Sequence, residues 1–148
     1  MIEIKNLTKA YRKNANVLNN INLTIENGKI FGFIGPNGAG KTTTIKMITG
    51  ILEPDKGKIL IDGIDINNKP VEAKKKIGFV PDDPNMFLKL TGREYLNFMA
   101  DIYEVNFEER NERIKTLSKE FEIYDNLDDK IESYSHGMRQ KIVIIGVL

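Results

Sequence analysis

The stretch "KIFGFIGPNGAGKTTTIKMITG", residues 29–50, decides the fold. Residues 29–35 are a near-continuous apolar run, the pattern of a strand covered on both faces. From Lys41 onward Ile45 and Ile48 recur at helical spacing, and Gly50 falls where a left-handed residue caps a helix end. Between the two, Gly35, Gly40, Lys41 and Thr42 satisfy G-x-x-x-x-G-K-[ST] in the context that motif requires, a strand before and a helix after. The glycines let the backbone curl so that successive N–H groups point inward. The helix end adds partial positive charge, and together they hold phosphate oxygens.

The candidate phosphate contacts are therefore Gly35, Pro36, Asn37, Gly38, Ala39, Gly40, Lys41, Thr42 and Thr43. Lys41 reaches the outer phosphates of a nucleoside triphosphate, Thr42 offers a hydroxyl to Mg²⁺, and Thr43 caps a phosphate from the next turn.

Outward from this loop the chain alternates strands and helices, which makes α/β the default class. "MIEIKNLTKAYRK" opens with Ile2 and Ile4 alternating with charge, and Ile21, Leu23 and Ile25 alternate before the turn "ENG", so two antiparallel strands are expected. "GKILIDGIDI" is a strand pattern broken by an Asp62-Gly63 turn, "PVEAKKK" a short helix, and "IGFV" at 77–80 another buried strand. "TGREYLNFMADIY" places Thr91 and Glu94 in capping-box register, with Tyr95, Phe98, Met99 and Ile102 as one apolar stripe. A second helix from about Phe107 carries Ile114, Leu117 and Phe121 on one face.

Composition removes other classes. The 22 Lys+Arg against 21 Asp+Glu leave no bulk electrostatic footprint for nucleic acid, and none is expected as a partner. No cysteine is present, so neither disulfides nor thiolate chemistry enter. The longest apolar run, Ile142 to Leu148, is far below the roughly 20 residues that span a bilayer.

The wording "GPNGAGKTTT" resembles the Walker A loop of ATP-binding cassette (ABC) ATPases, and the resemblance runs through the whole chain. It implies a P-loop NTPase fold with N-terminal antiparallel strands and a helical subdomain. Residues 1–90 and 135–148 would belong to the ATP-binding core and 91–134 to the subdomain. Tyr11 matches the aromatic that stacks on adenine. "YSHGMRQK" resembles the signature usually written LSGGQ, with Ser135 and Gly137 retained and His136 and Met138 in place of glycine and glutamine. In the family this segment meets the γ-phosphate held by a second ATPase subunit, head to tail. "IGFVPDDPNMF" resembles the Q-loop segment, with Asp82 in place of glutamine as a candidate Mg²⁺ ligand. The loop region accepts a helix of a transmembrane permease, and Met86, Phe87, Leu88 and Tyr95 would line that groove.

Two look-alikes are set aside. "ILID" at 59–62 imitates the apolar run and aspartate of Walker B but precedes the signature and ends in a hairpin turn; His136 comes too early to be the switch histidine.

The resemblance implies an ATP-binding subunit of an ABC transporter, with ATP and Mg²⁺ as cofactors, leaning to export, and lying on the inner face of the cell membrane through its permease. A soluble ABC ATPase, or a nucleotide-binding module without turnover, are the alternatives. The family's Walker B carboxylates and switch histidine follow the signature helix. "KIVIIGVL" stops before them, so the sequence is expected to be a fragment with an incomplete core, inactive by itself and with residues 142–148 uncovered.

Overall fold

Alternating side chains build a four-stranded antiparallel sheet, in the order β2-β1-β3-β4, in the first part of the chain. Strand β1 (Ile2–Arg12) is central, with β2 (Ala15–Ile25) on one side and β3 (Lys56–Ile61) on the other; Ile4 faces Leu23 across one ladder and Ile59 across the other. Strand β4 (Ile64–Asp65) returns through Asp62 and Gly63, whose φ values of 48° and 80° are both left-handed, as a type I′ hairpin turn requires. The computed structural model describes residues 1–12 and 15–148, and side chains outside 12–17; Lys13, at the end of the predicted opening strand, lies outside the described residues.

These strands belong to the first of two compact units, Met1–Ile77 and Gly78–Leu148. In the first, helix α1 (Lys41–Ile48) and helix α2 (Pro70–Lys74, with proline in its first turn) accompany the sheet. Ile4, Leu7, Met47, Ile59, Ile61, Ile66 and Ala73 form their common core. Each large side chain buried there contributes about 1.5–3 kcal/mol.

The second unit is helical. Helix α3 (Gly92–Ile102) starts with the predicted capping box: the Glu94 N–H donates to Thr91 Oγ1 at 3.1 Å and the Thr91 N–H to Glu94 Oε2 at 2.8 Å. Helix α4 (Phe107–Glu120) is capped by Asn106 and helix α5 (His136–Ile145) by Ser135. Tyr95, Leu96, Ile123, Leu127, Ile131, Ile142, Val143 and Ile145 are buried together. The apolar stripe of α3 is narrower than predicted: Phe98 and Ile102 are exposed, and Leu96 turns inward instead.

Three expectations are corrected. Residues 29–35 and 77–80 form no strand. A doubly covered strand needs a ladder on its edges, and no described residue supplies one, so Ile30 and Ile34 stand fully exposed. Third, the run 142–148 is not uncovered: Ile142, Val143 and Ile145 are buried in the second core, and only Leu148 at its end is strongly exposed. Among the described residues no helix is long and apolar enough to cross a membrane.

Candidate functional site

The glycine loop adopts the geometry its sequence demands. Gly38 and Gly40 have φ of 84° and 86°, in the region where a Cβ is strained, and the Ala39 N–H closes a tight turn onto the Pro36 carbonyl at 3.2 Å. Gly40 is the N-cap of α1 and offers no side chain, and the first turn carries no acidic residue. Helices α3, α4 and α5, by contrast, have their N-terminal N–H groups capped by Thr91, Asn106 and Ser135. A helix of this length left without a side-chain cap, with its partial positive charge unopposed, fits a phosphate group as the missing acceptor.

Lys41 reaches back over the loop, donating from Nζ to the carbonyls of Gly35 at 2.6 Å and Pro36 at 2.9 Å. This holds an ammonium above the curled backbone. Thr42 is exposed, whereas Thr43 and Thr44 are buried; Thr44 Oγ1 donates to the Gly40 carbonyl at 2.9 Å and stiffens the first turn. Thr43 Oγ1 lies 3.3 Å from the Tyr11 hydroxyl. The first unit thus brings Tyr11 to the start of α1, with the Tyr11 side chain 59% exposed and free to offer its ring.

Sequence reasoning passed over the group that fixes the strand next to Tyr11. Asp55 Oδ2 accepts the Ala10 N–H at 2.8 Å, Asp55 Oδ1 accepts Lys9 Nζ at 2.8 Å, and the Asp55 N–H donates to the Thr8 carbonyl at 3.0 Å. The Lys9 ammonium, followed by the Ala10 N–H, holds the Asp55 carboxyl below the usual carboxylate range. Only the Asp ahead of "KGK" hinted at this, because the partners lie about 45 positions away in sequence and no local pattern links them.

The second unit holds the other candidates. Ser135 is exposed and caps α5, accepting the Met138 N–H at 3.3 Å; His136 and Gly137 behind it are exposed, and a Cβ at Gly137 would meet nothing within 4 Å. Packing within the unit does not call for glycine at 137, which leaves its surface open to an outside contact. The segment is braced by Arg139, which donates to the carbonyls of Ile131 and Glu132 and to Asn85 Oδ1. Asp82 is exposed, and its carboxylate has no hydrogen bond or ion pair among the described residues; the turn before Pro84 is made by Asp83, whose Oδ1 accepts the Asn85 N–H at 3.0 Å. Of the residues assigned to a docking groove, Met86 and Phe87 are exposed, Leu88 is half-buried, and Tyr95 belongs to the core beneath Phe87, ring centroids 5.6 Å apart.

Comparison with known proteins shows the family. The family described as ABC transporter matches residues 18–148. The ABC transporter ATP-binding protein NatA of Bacillus subtilis is 37% identical over 138 residues, 93% of this chain and 56% of NatA. A solved ATP-binding subunit of an ABC transporter superposes with a TM-score of 0.92 at 33% identity, over 99% of this chain and 61% of that one. The dimeric cassette MJ0796, in a post-hydrolysis state bound to ADP and Pi, gives 0.85 at 29% identity over 100% of this chain and 69% of its own. The chain spans about half the length of the curated relatives it matches first, between 46% and 61%. With a family model matched over residues 18–148 and a solved cassette of the same family superposing on 99% of the chain, the chain belongs to the ABC transporter ATP-binding family.

Proposed function

We propose that the chain is the nucleotide-binding part of an ABC transporter ATP-binding subunit, holding MgATP with Gly35 through Thr43 and stacking the base on Tyr11. The observation that carries this reading is the N-terminus of α1: it has no side-chain cap and no acidic residue in its first turn, and Lys41 is poised over the loop carbonyls. A triphosphate accepts from the loop N–H groups, and Lys41 Nζ turns from the Gly35 and Pro36 carbonyls toward the more negative phosphate oxygens. When bound, Mg²⁺ would offset phosphate charge, and the hydroxyl of the exposed Thr42 is its proposed ligand.

Ser135 and Gly137 are proposed to meet nucleotide on a second copy, in keeping with the dimeric state of MJ0796. Residues 91–134 are then the helical subdomain, and a membrane permease docks beside Met86 and Phe87, with the subunit on the cytoplasmic side and transport directed outward.

Calorimetric titration with MgATP tests the reading. Lys41→Ala should weaken binding by on the order of 2–3 kcal/mol, the range for hydrogen bonds to a charged group. Unchanged affinity would remove the assignment.

A further inference from the structure

A base platform works only if its ring is held at a fixed distance from the phosphate loop. Tyr11 sits near the end of β1, on a long antiparallel ribbon with several register irregularities beyond Ile4. Such a ribbon twists and bends freely unless something ties it. The tie is Asp55. It takes the Ala10 N–H and the Lys9 ammonium with its two carboxylate oxygens, and its own N–H goes to the Thr8 carbonyl, so three successive residues before Tyr11 are fixed by one. Lys9 Nζ also donates to the Glu53 carbonyl at 2.8 Å.

Asp55 is in turn fixed to the phosphate site. It ends the segment that leaves α1, and that segment is tied back to the helix by the Ile51 and Leu52 N–H groups, which both donate to the Lys46 carbonyl, at 2.8 and 3.0 Å. The circuit runs from the P-loop along α1 to Asp55, across to residues 8–10, and on to Tyr11. It closes where the Tyr11 hydroxyl meets Thr43 Oγ1 in the first turn of α1.

We infer that Asp55 is a positioning residue for nucleotide binding, setting the Tyr11 ring against the phosphate loop so that the base is recognised without the platform having to be ordered on binding. The inference rests on the nucleotide reading of the P-loop given above. Its signature is selective: the clamp matters for ligands that carry a base and not for a bare polyphosphate, which meets only the loop.

The experiment measures dissociation constants of MgATP and of magnesium tripolyphosphate for the full-length protein and its variants. Asp55→Ala should weaken ATP about fivefold while leaving tripolyphosphate within about twofold, a fraction of the loss expected for deleting base stacking through Tyr11→Ala. Asp55→Asn keeps an acceptor for the Ala10 N–H and drops the ion pair, so it should fall between Asp55→Ala and the parent. It decides by the same criterion if the alanine variant does not fold. Tyr11→Phe, which keeps the ring and loses the contact to Thr43, should also weaken ATP selectively. Equal loss for both ligands, or no loss for either, overturns the role of Asp55. Lys41→Ala separates the two levels: if it leaves ATP and tripolyphosphate binding unchanged, the nucleotide reading itself has failed, whatever Asp55 does.

Discussion

Gly92 and Tyr134 share one space: the Tyr134 hydroxyl lies where a Cβ on Gly92 would stand, while donating to the Asn126 carbonyl at 2.6 Å. Tyr134 is 3% exposed, and the Leu127 carbonyl stands 3.3 Å from the same hypothetical Cβ, so the hydroxyl can yield only by giving up its buried bond to Asn126 and the carbonyl only by moving backbone. Gly92→Ala should therefore destabilise the second unit by about 1–3 kcal/mol, the cost of overpacking. Tyr134→Phe combined with it should recover part of that loss, since the colliding oxygen is gone. Denaturant unfolding of the four proteins in the cycle measures the coupling, and strict additivity would show that the two residues do not contend for the space.

The alkaline limb of stability should belong to buried tyrosines. Burial, then the carboxylates of Asp129 and Asp128, raise the Tyr134 pKa above 10; burial, then Tyr103, raises that of Tyr95. A folded-state pKa raised above the unfolded value gives stability that is complete below pH 10 and lost as pH rises through the folded value. Asp128 has the opposite sign: the Arg93 guanidinium, bonded at 2.7 and 3.0 Å, lowers its pKa below 3.8, so its contribution is present above that pH and lost as pH falls through the lower folded value. Thermal melts across pH should be level between these limits, and absorbance titration should find two tyrosines ionising late. Tyr134→Phe should flatten the alkaline fall, and an unaltered fall would assign it elsewhere.

How far the sequence speaks depends on how local the causes are. The P-loop, the capping box at Thr91 and the Asp62-Gly63 hairpin were legible because each is settled by backbone needs within a few residues. Residues 29–35 and 77–80 read as strands because they are apolar, but a strand exists only through its neighbours, and apolar composition does not name them. Asp55 was invisible for a similar reason: its partners at 8–10 are brought to it by the β1–β3 pairing, not by spacing. Ile142, Val143 and Ile145 were read as uncovered because the helix is apolar on several sides, whereas the second core contacts it on more than one.

Ser135 should separate into two roles. As a cap its bond to the Met138 N–H is long at 3.3 Å, so Ser135→Ala should cost about 0.5–1 kcal/mol, the lower part of the capping range. On the head-to-tail arrangement proposed for it, the same change should leave ATP binding to the monomer intact and weaken ATP-dependent dimerisation of the full-length protein. Light scattering at saturating ATP distinguishes the cases: equal dimerisation by mutant and parent returns Ser135 to capping only.

The surface at residues 30–34 should govern self-association of the 148-residue chain. Ile30 and Ile34 have relative exposures of 105% and 98%, and Phe31 is 47% exposed, its ring packed edge-on against Phe33 at 5.3 Å. These residues form an apolar stretch whose backbone belongs to none of the described ladders. Both properties favour pairing with another copy, through buried apolar area and through N–H and C=O groups that lack strand partners. Ile30→Lys with Ile34→Lys places charge on that stretch and touches no core, so folding stability should move by no more than about 0.5 kcal/mol while concentration-dependent scattering falls. Leu148→Lys is the control, because Ile142, Val143 and Ile145 of the preceding helix are already packed in the second core and the change should alter scattering little. The reverse result, with scattering kept by the double lysine variant and lost in Leu148→Lys, would move the adhesive surface to the end of α5.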